Sequence, residues 1–180
     1  NLENGSLDAV VQSIASTASA TQGLRLNTVA GGLTVAGATS ISNSQGTGLD
    51  LQGNSASLTL GVVAINKSAS GAGIYLANNT RPLSISNLAI TTSAGHALQG
   101  VNNSGAITVS DGALSATGGA ALTLTNAAGN PAVNLTFATL TTSNSPGNGL
   151  VLDNIGGAGL TVTGATTLGI ATATFGLVFG

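Results

Sequence analysis

Gly23-Leu24-Arg25-Leu26 recurs along the chain as Gly48-Leu49-Asp50-Leu51, Gly73-Ile74-Tyr75-Leu76, Ala97-Leu98-Gln99-Gly100, Ala121-Leu122-Thr123-Leu124 and Gly149-Leu150-Val151-Leu152. The spacings are 25, 25, 24, 24 and 28 residues, and a further start lies at Gly176-Leu177-Val178-Phe179. A constant period in this range is the mark of a stacked repeat architecture, in which a single repeat cannot bury its apolar face and does so against its neighbours.

Each repeat carries two more strand-like segments. The first reads apolar, hydroxyl, apolar: Leu33-Thr34-Val35, Leu58-Thr59-Leu60, Leu83-Ser84-Ile85, Ile107-Thr108-Val109, Leu135-Thr136-Phe137 and Leu160-Thr161-Val162. That alternation is the period-2 pattern of a strand with one buried face. The second is less regular: residues 38–41, 63–65, 88–90, 112–114, 140–142 and 165–168, with small residues where neighbouring repeats place Val or Leu. Gly, Asn and Ser fill the turns between segments. Three strands in about 25 residues leave no room for helices. Asn-Gly, the strongest tight-hairpin dipeptide, occurs only at Asn4-Gly5 and Asn148-Gly149. Like segments at a constant offset instead favour each strand pairing in parallel with its counterpart one coil on, roughly 4.8 Å away.

Composition supports a packed stack. Hydrophobic residues make up 42% of the 180, aromatics 2% and charged residues 4%, the reverse of a disordered chain. The uncharged stretch from Gly112 to Leu152 is broken throughout by Gly, Asn, Thr and Pro, so it offers no membrane-spanning helix. One Tyr and three Phe cannot build the aromatic girdles of an outer-membrane barrel. Net charge is -2 and the basic residues, Arg25, Lys67 and Arg81, are scattered, so no nucleic-acid partner and no membrane insertion are expected. Cysteine is absent, which leaves packing alone to stabilise the chain.

Residues 1–22 fit the period less well. Leu2-Glu3-Asn4 matches the end of a third segment and Leu7-Asp8-Ala9 a first segment, while residues 9–18 suit either a short helical or irregular cap or a degraded coil. The regular repeats run over 23–180, with starts near 23, 48, 73, 97, 121, 149 and 176. No polar cap follows Phe179-Gly180 and no leader pattern opens the chain, so the expectation is a fragment of a longer chain whose neighbouring coils are its first partners.

The Gly-[Leu/Ile]-x-Leu and Leu-[Thr/Ser]-[Val/Leu/Ile] segments with their Gly/Asn/Ser turns resemble the parallel β-helix repeats of large bacterial secreted and cell-surface proteins, including autotransporter passengers and filamentous-haemagglutinin-like adhesins. The resemblance covers roughly residues 23–180. It implies an all-β fold, a right-handed single-stranded parallel β-helix (β-solenoid) of about seven coils of three short strands, extracellular or at the cell surface. No catalytic motif of such proteins is present to carry over.

The columns of such a stack supply the candidate sites. Two residues past the third strand lie Asn78, Asn102, Asn126 and Asn154, with Thr28 and Gly53 interrupting the file. They form either an amide ladder that holds register or a set of residues that tolerate turn geometry. The outward column of the third strand reads Arg25, Asp50, Tyr75, Gln99, Thr123, Val151, Val178. It offers an axial ion pair and a polar aromatic surface patch at Arg25, Asp50, Tyr75 and Gln99, suited to glycan or peptide contact; as an exposed pair, Arg25–Asp50 contributes at most about 1 kcal/mol. The hydroxyl column of the first strand is Thr34, Thr59, Ser84, Thr108, Thr136 and Thr161, a file able to order water or simply the best polar strand formers.

Chemistry is sparse. Glu3, Asp8, Asp50, Asp111 and Asp153 fall at different places on the repeat, and no two are expected to converge as polysaccharide lyases and hydrolases require. Gly156-Gly157-Ala158-Gly159-Leu160 comes nearest a calcium-binding nonapeptide but lacks its Asp. His96 reads as a surface turn residue, and Lys67 and Arg81 as turn residues carrying solubilising charges. The Asn-x-[Ser/Thr] sequons at Asn4, Asn66, Asn78, Asn102 and Asn134 are as many as such a composition produces by chance. No catalytic residue, metal site or cofactor is assigned. The function expected is a non-enzymatic structural or adhesive segment of a secreted bacterial surface protein, in contact with host or matrix glycans or surface proteins. The alternatives are a carbohydrate-active β-helix enzyme with its catalytic residues elsewhere, and an ice-binding solenoid.

Overall fold

The computed structural model describes residues 1–127, 130–170 and 177–179. Gly176, the expected start of the last repeat, lies outside the described residues. Coil by coil the strands are β1 (Leu2–Val11) and β2 (Ile14–Thr17), then β3 (Leu24–Ser42), then β4 (Leu49–Gln52) and β5 (Ser55–Lys67), then β6 (Ile74–Ala77) and β7 (Leu83–Thr92). Three coils follow with three strands each: β8 (Leu98–Val101), β9 (Ile107–Val109) and β10 (Gly112–Thr117); β11 (Leu122–Thr125), β12 (Ala132–Phe137) and β13 (Thr139–Ser145); β14 (Leu150–Asp153), β15 (Gly156–Val162) and β16 (Thr166–Ile170). Strand β17 (Leu177–Phe179) closes the described chain. No described residue is helical.

Every pairing is parallel and joins a strand to its equivalent one coil on. The third-strand column runs Leu24, Leu49, Ile74, Leu98, Leu122, Leu150, Leu177 in unbroken register. The chain is therefore an all-β parallel β-solenoid of about seven turns and about 25 residues per turn. In β3, β5 and β7 the first and second segments run on as one strand; the β3–β5 ladder takes a one-residue register step between Val35 and Ala38, while the β5–β7 ladder passes the corner in constant register. Residues 2–11 and 14–17, within the ambiguous N-terminal stretch, are strands paired to β3.

Two expected alignments are corrected. The rung beside Ile107-Thr108-Val109 is Val133-Asn134-Leu135, and Leu135-Thr136-Phe137 lies in register with Leu160-Thr161-Val162, so Thr136 does not face Thr108. Likewise Ala9-Val10-Val11, two residues beyond Leu7-Asp8-Ala9, pairs with Leu33-Thr34-Val35. Both differ by two residues for one physical reason. A two-residue slip leaves every side chain on its original face, so alternation alone does not choose between the frames.

The interior is a file of aliphatic side chains with Phe137 as its one fully buried aromatic among the described residues. Each fully buried Leu, Ile or Val contributes about 1.5–3 kcal/mol, so every inner coil carries its own stabilisation. Inward Gly100 stands in the column of Leu76 and Leu124, and a Cβ there would lie 2.5 Å from Leu124 Cδ2, so the neighbouring leucine fills the space. The glycines that open the repeats are also steric necessities. A Cβ on Gly48 would come within 2.5 Å of the Gly73 carbonyl oxygen and 2.9 Å of Ile65 Cγ2. Gly48→Val is expected to lower stability by about 1–3 kcal/mol through overpacking, whereas Gly147→Ala, with open space around it, changes it by less than about 0.5 kcal/mol. Urea unfolding followed by circular dichroism checks both, and equal effects would contradict this packing.

Candidate functional site

An inward amide ladder runs one residue further along the chain than Asn78 and Asn102, and of the expected column it keeps only Asn126. Its members are Asn54, Asn79, Asn103 and Asn126. Oδ1 of Asn54 accepts from Val29 N (2.9 Å), Oδ1 of Asn79 from Asn54 N (3.1 Å), Oδ1 of Asn103 from Asn79 N (3.0 Å) and Oδ1 of Asn126 from Asn103 N (2.8 Å). The Nδ2 groups of Asn54, Asn79 and Asn103 donate back to the carbonyls of Leu26, Leu51 and Leu76. Asn78, Asn102 and Asn154 are instead the corner residues just before the ladder position, with φ of 55°, 52° and 54°. Thr28 and Gly53 share this left-handed conformation (φ 56° and 60°), so the apparent interruptions continue the corner column. Asn126 lacks the left-handed step and turns inward itself.

The outward column brings Arg25, Asp50, Tyr75 and Gln99 onto successive rungs. Arg25 Nη1 lies 3.0 Å from Glu3 Oε1 and Arg25 Nε 3.4 Å from Asp50 Oδ2. Two carboxylates thus converge, contrary to the reading of the spacings, and they converge on one guanidinium. Nor is the Arg25–Asp50 pair exposed, since only 4% of the Asp50 side chain is accessible. Asp50 is covered by its column neighbours, and Gln52 Nε2 donates to its Oδ1 at 2.8 Å. Arg25 Nε is buried without a well-directed hydrogen bond, so its contact with Asp50 is an ion pair rather than a bidentate clasp. Tyr75 and Gln99 remain half-buried on the same face.

The hydroxyl column keeps register from Thr34 through Thr59 and Ser84 to Thr108. It then meets Asn134, while Thr136 and Thr161 form a separate pair displaced by two residues. Asp111 turns back on its own corner, Oδ1 accepting from Gly112 N at 2.7 Å. Asp8 and Asp153 are exposed and apart. Among the described residues no three His, Asp or Glu side chains gather as a metal ion would need.

Two turn residues are not solubilising charges. Lys67 is fully buried. Its Nζ donates to the carbonyls of Ala69, Ser70 and Gly71 at 2.6, 2.7 and 3.1 Å, doing for its corner what the Thr92 hydroxyl does by donating to Gly95 O. Burial pushes its pKa below the ordinary lysine value. His96 is half-buried, and its Nδ1 accepts from Ala120 N at 3.0 Å, which leaves the ring proton on Nε2. Arg81 is exposed, as a surface charge should be.

Comparison with protein-family models, with curated proteins and with solved structures found no match to this chain. Its function is therefore argued from its own residues.

Desolvation lowers the His96 pKa from its ordinary value. The neutral ring accepts the Ala120 bond and the imidazolium cannot, so the folded state binds its proton more weakly than the unfolded chain does. His96 therefore contributes stability that is complete above the unfolded pKa, about 6.5, and is lost as pH falls through the lowered folded value. In urea titrations from pH 8 to 5, His96→Asn is expected to flatten the decline seen for the unaltered chain. Identical pH profiles for the two chains would contradict this assignment.

Proposed function

We propose that this β-solenoid is a structural rod, a segment of a bacterial secreted or cell-surface protein that spaces and presents adhesive surfaces rather than catalysing a reaction. The observation that carries the reading is the use to which the charged side chains are put. Glu3 and Asp50 neutralise Arg25 along the axis, Lys67 seals a turn and Asp111 binds its own backbone. Five of the eight charged groups thus join one coil to the next or close its corners, and the other three, Asp8, Arg81 and Asp153, stay exposed. Parallel strands stacked like on like make an extended rod that lengthens by one strand spacing per coil, the geometry a spacer requires. An extracellular or cell-surface setting fits a cysteine-free chain stabilised by packing alone.

Pulling the chain from its ends in a force spectrometer is expected to give discrete rupture events whose contour increments are multiples of one coil, roughly 85 Å for about 25 residues. Incubation with a panel of polysaccharides is expected to release no product. Featureless extension, or product release abolished by Asp50→Asn, would overturn the reading.

A further inference from the structure

The amide ladder ends at Asn126, and the stack opens at the same corner. The coil begun at Ala121 is the longest, with 28 residues to the next start. The following coil places Ile155 where its predecessors place Asn79 and Asn103, so no amide receives the ladder. Asn126 Nδ2 reaches only Asn154 O, at 3.4 Å, while Asn154 Nδ2 returns a bond to Asn126 O at 2.9 Å. Between these coils lies an open cleft of about 580 Å³ lined by Asn126, Ala127, Asn130, Asp153, Asn154 and Ile155.

The lining is amphipathic. Most of its surface is polar; half-buried Ile155 and exposed Ala127 supply the apolar part, and Asn130 and Asp153 are exposed. Neither the Asp153 carboxylate nor the Asn130 amide has a side-chain hydrogen bond or ion pair to another described residue. Elsewhere the acids Glu3, Asp50 and Asp111 are engaged, whereas Asp153 lines the cleft without a side-chain partner among the described residues. The cleft's size falls in the range of small-ligand sites, about 300–1,000 Å³.

We infer that this cleft binds one neutral sugar unit of a glycan. A pyranose presents an apolar C–H face, which fits Ile155 and Ala127. Its vicinal hydroxyls both donate and accept, which matches the Asp153 carboxylate, which only accepts, beside the Asn130 amide, which does both. No cation lines the cleft, so a uronate or sialate would meet the Asp153 charge unpaired and be disfavoured. The inference rests on the adhesive side of the proposed function and gives it a location.

The test is a titration of the isotopically labelled 180-residue chain with glucose, galactose, mannose and N-acetylglucosamine, followed by amide chemical shifts, with glucuronate in parallel. At least one neutral sugar is expected to move the amides of Asn126, Ala127, Asp153, Asn154 and Ile155 saturably, and glucuronate is not. Asp153→Ala and Asn130→Ala, at exposed positions outside the core, are each expected to weaken binding by roughly tenfold or more while the remaining spectrum is unchanged. No saturable shift at the cleft with any neutral sugar, shifts centred on Tyr75 instead, or equal response to glucuronate would overturn the inference. Such failure leaves the rod itself standing, because its mechanical signature does not depend on this cleft.

Discussion

The constraint on which the structure depends is axial register. Alternating Leu, Thr and Val bury one face of each strand, but that pattern is unchanged by a slip of two residues, so the apolar columns hold the coils together without fixing how they align. The inward amides break the degeneracy. Each of Asn54, Asn79 and Asn103 satisfies a backbone N–H and a carbonyl of the coil before it at a single inward corner. A slipped coil would leave these groups buried and unpaired, at about 1–3 kcal/mol each. Hydrophobic burial supplies the cohesion, and the ladder supplies the uniqueness.

This division explains what could be read from the residues. The Gly-Leu-x-Leu period marked the third strand of every repeat, and its register in the structure is the one the period implies. Thr136 was aligned with Thr108 because both follow a leucine or isoleucine in an alternating run, and Asn134 fits that run equally well. The repeat spacing points to Asn78 and Asn102 as the ladder, whereas the structure places it at Asn79 and Asn103. In an Asn-Asn pair, sequence does not reveal which residue takes the left-handed corner and which turns inward. The signal that finds it is Asn54, which lies just beyond Gly53: a glycine able to occupy that corner leaves the next residue as the inward amide.

Burial of charge was the least legible feature. Lys67 stands in a sequence context that resembles any polar turn, and only the bend of residues 69–71 around its ammonium makes the interior acceptable to it. Asp50 lies on an outward column and is nonetheless covered, because Arg25 and Tyr75 occupy the adjoining rungs. In a solenoid the solvent face of one coil is partly roofed by the next, so outward and exposed are not the same. The consequence for function is that most charged groups are already committed to the stack, while the corner where the ladder ends keeps the Asn130 amide and the Asp153 carboxylate without side-chain partners among the described residues.

The most direct measurement of the register exploits the absence of native cysteine. Adjacent in-register strands place their Cα atoms about 4.8 Å apart, within disulfide reach, whereas a two-residue offset places them at roughly 8 Å, beyond it. The double substitution Thr108→Cys with Asn134→Cys is predicted to oxidise readily to an intramolecular disulfide, and Thr108→Cys with Thr136→Cys to remain reduced under the same conditions. Efficient cross-linking of the second pair but not the first would contradict the register that the inward amides are held to set.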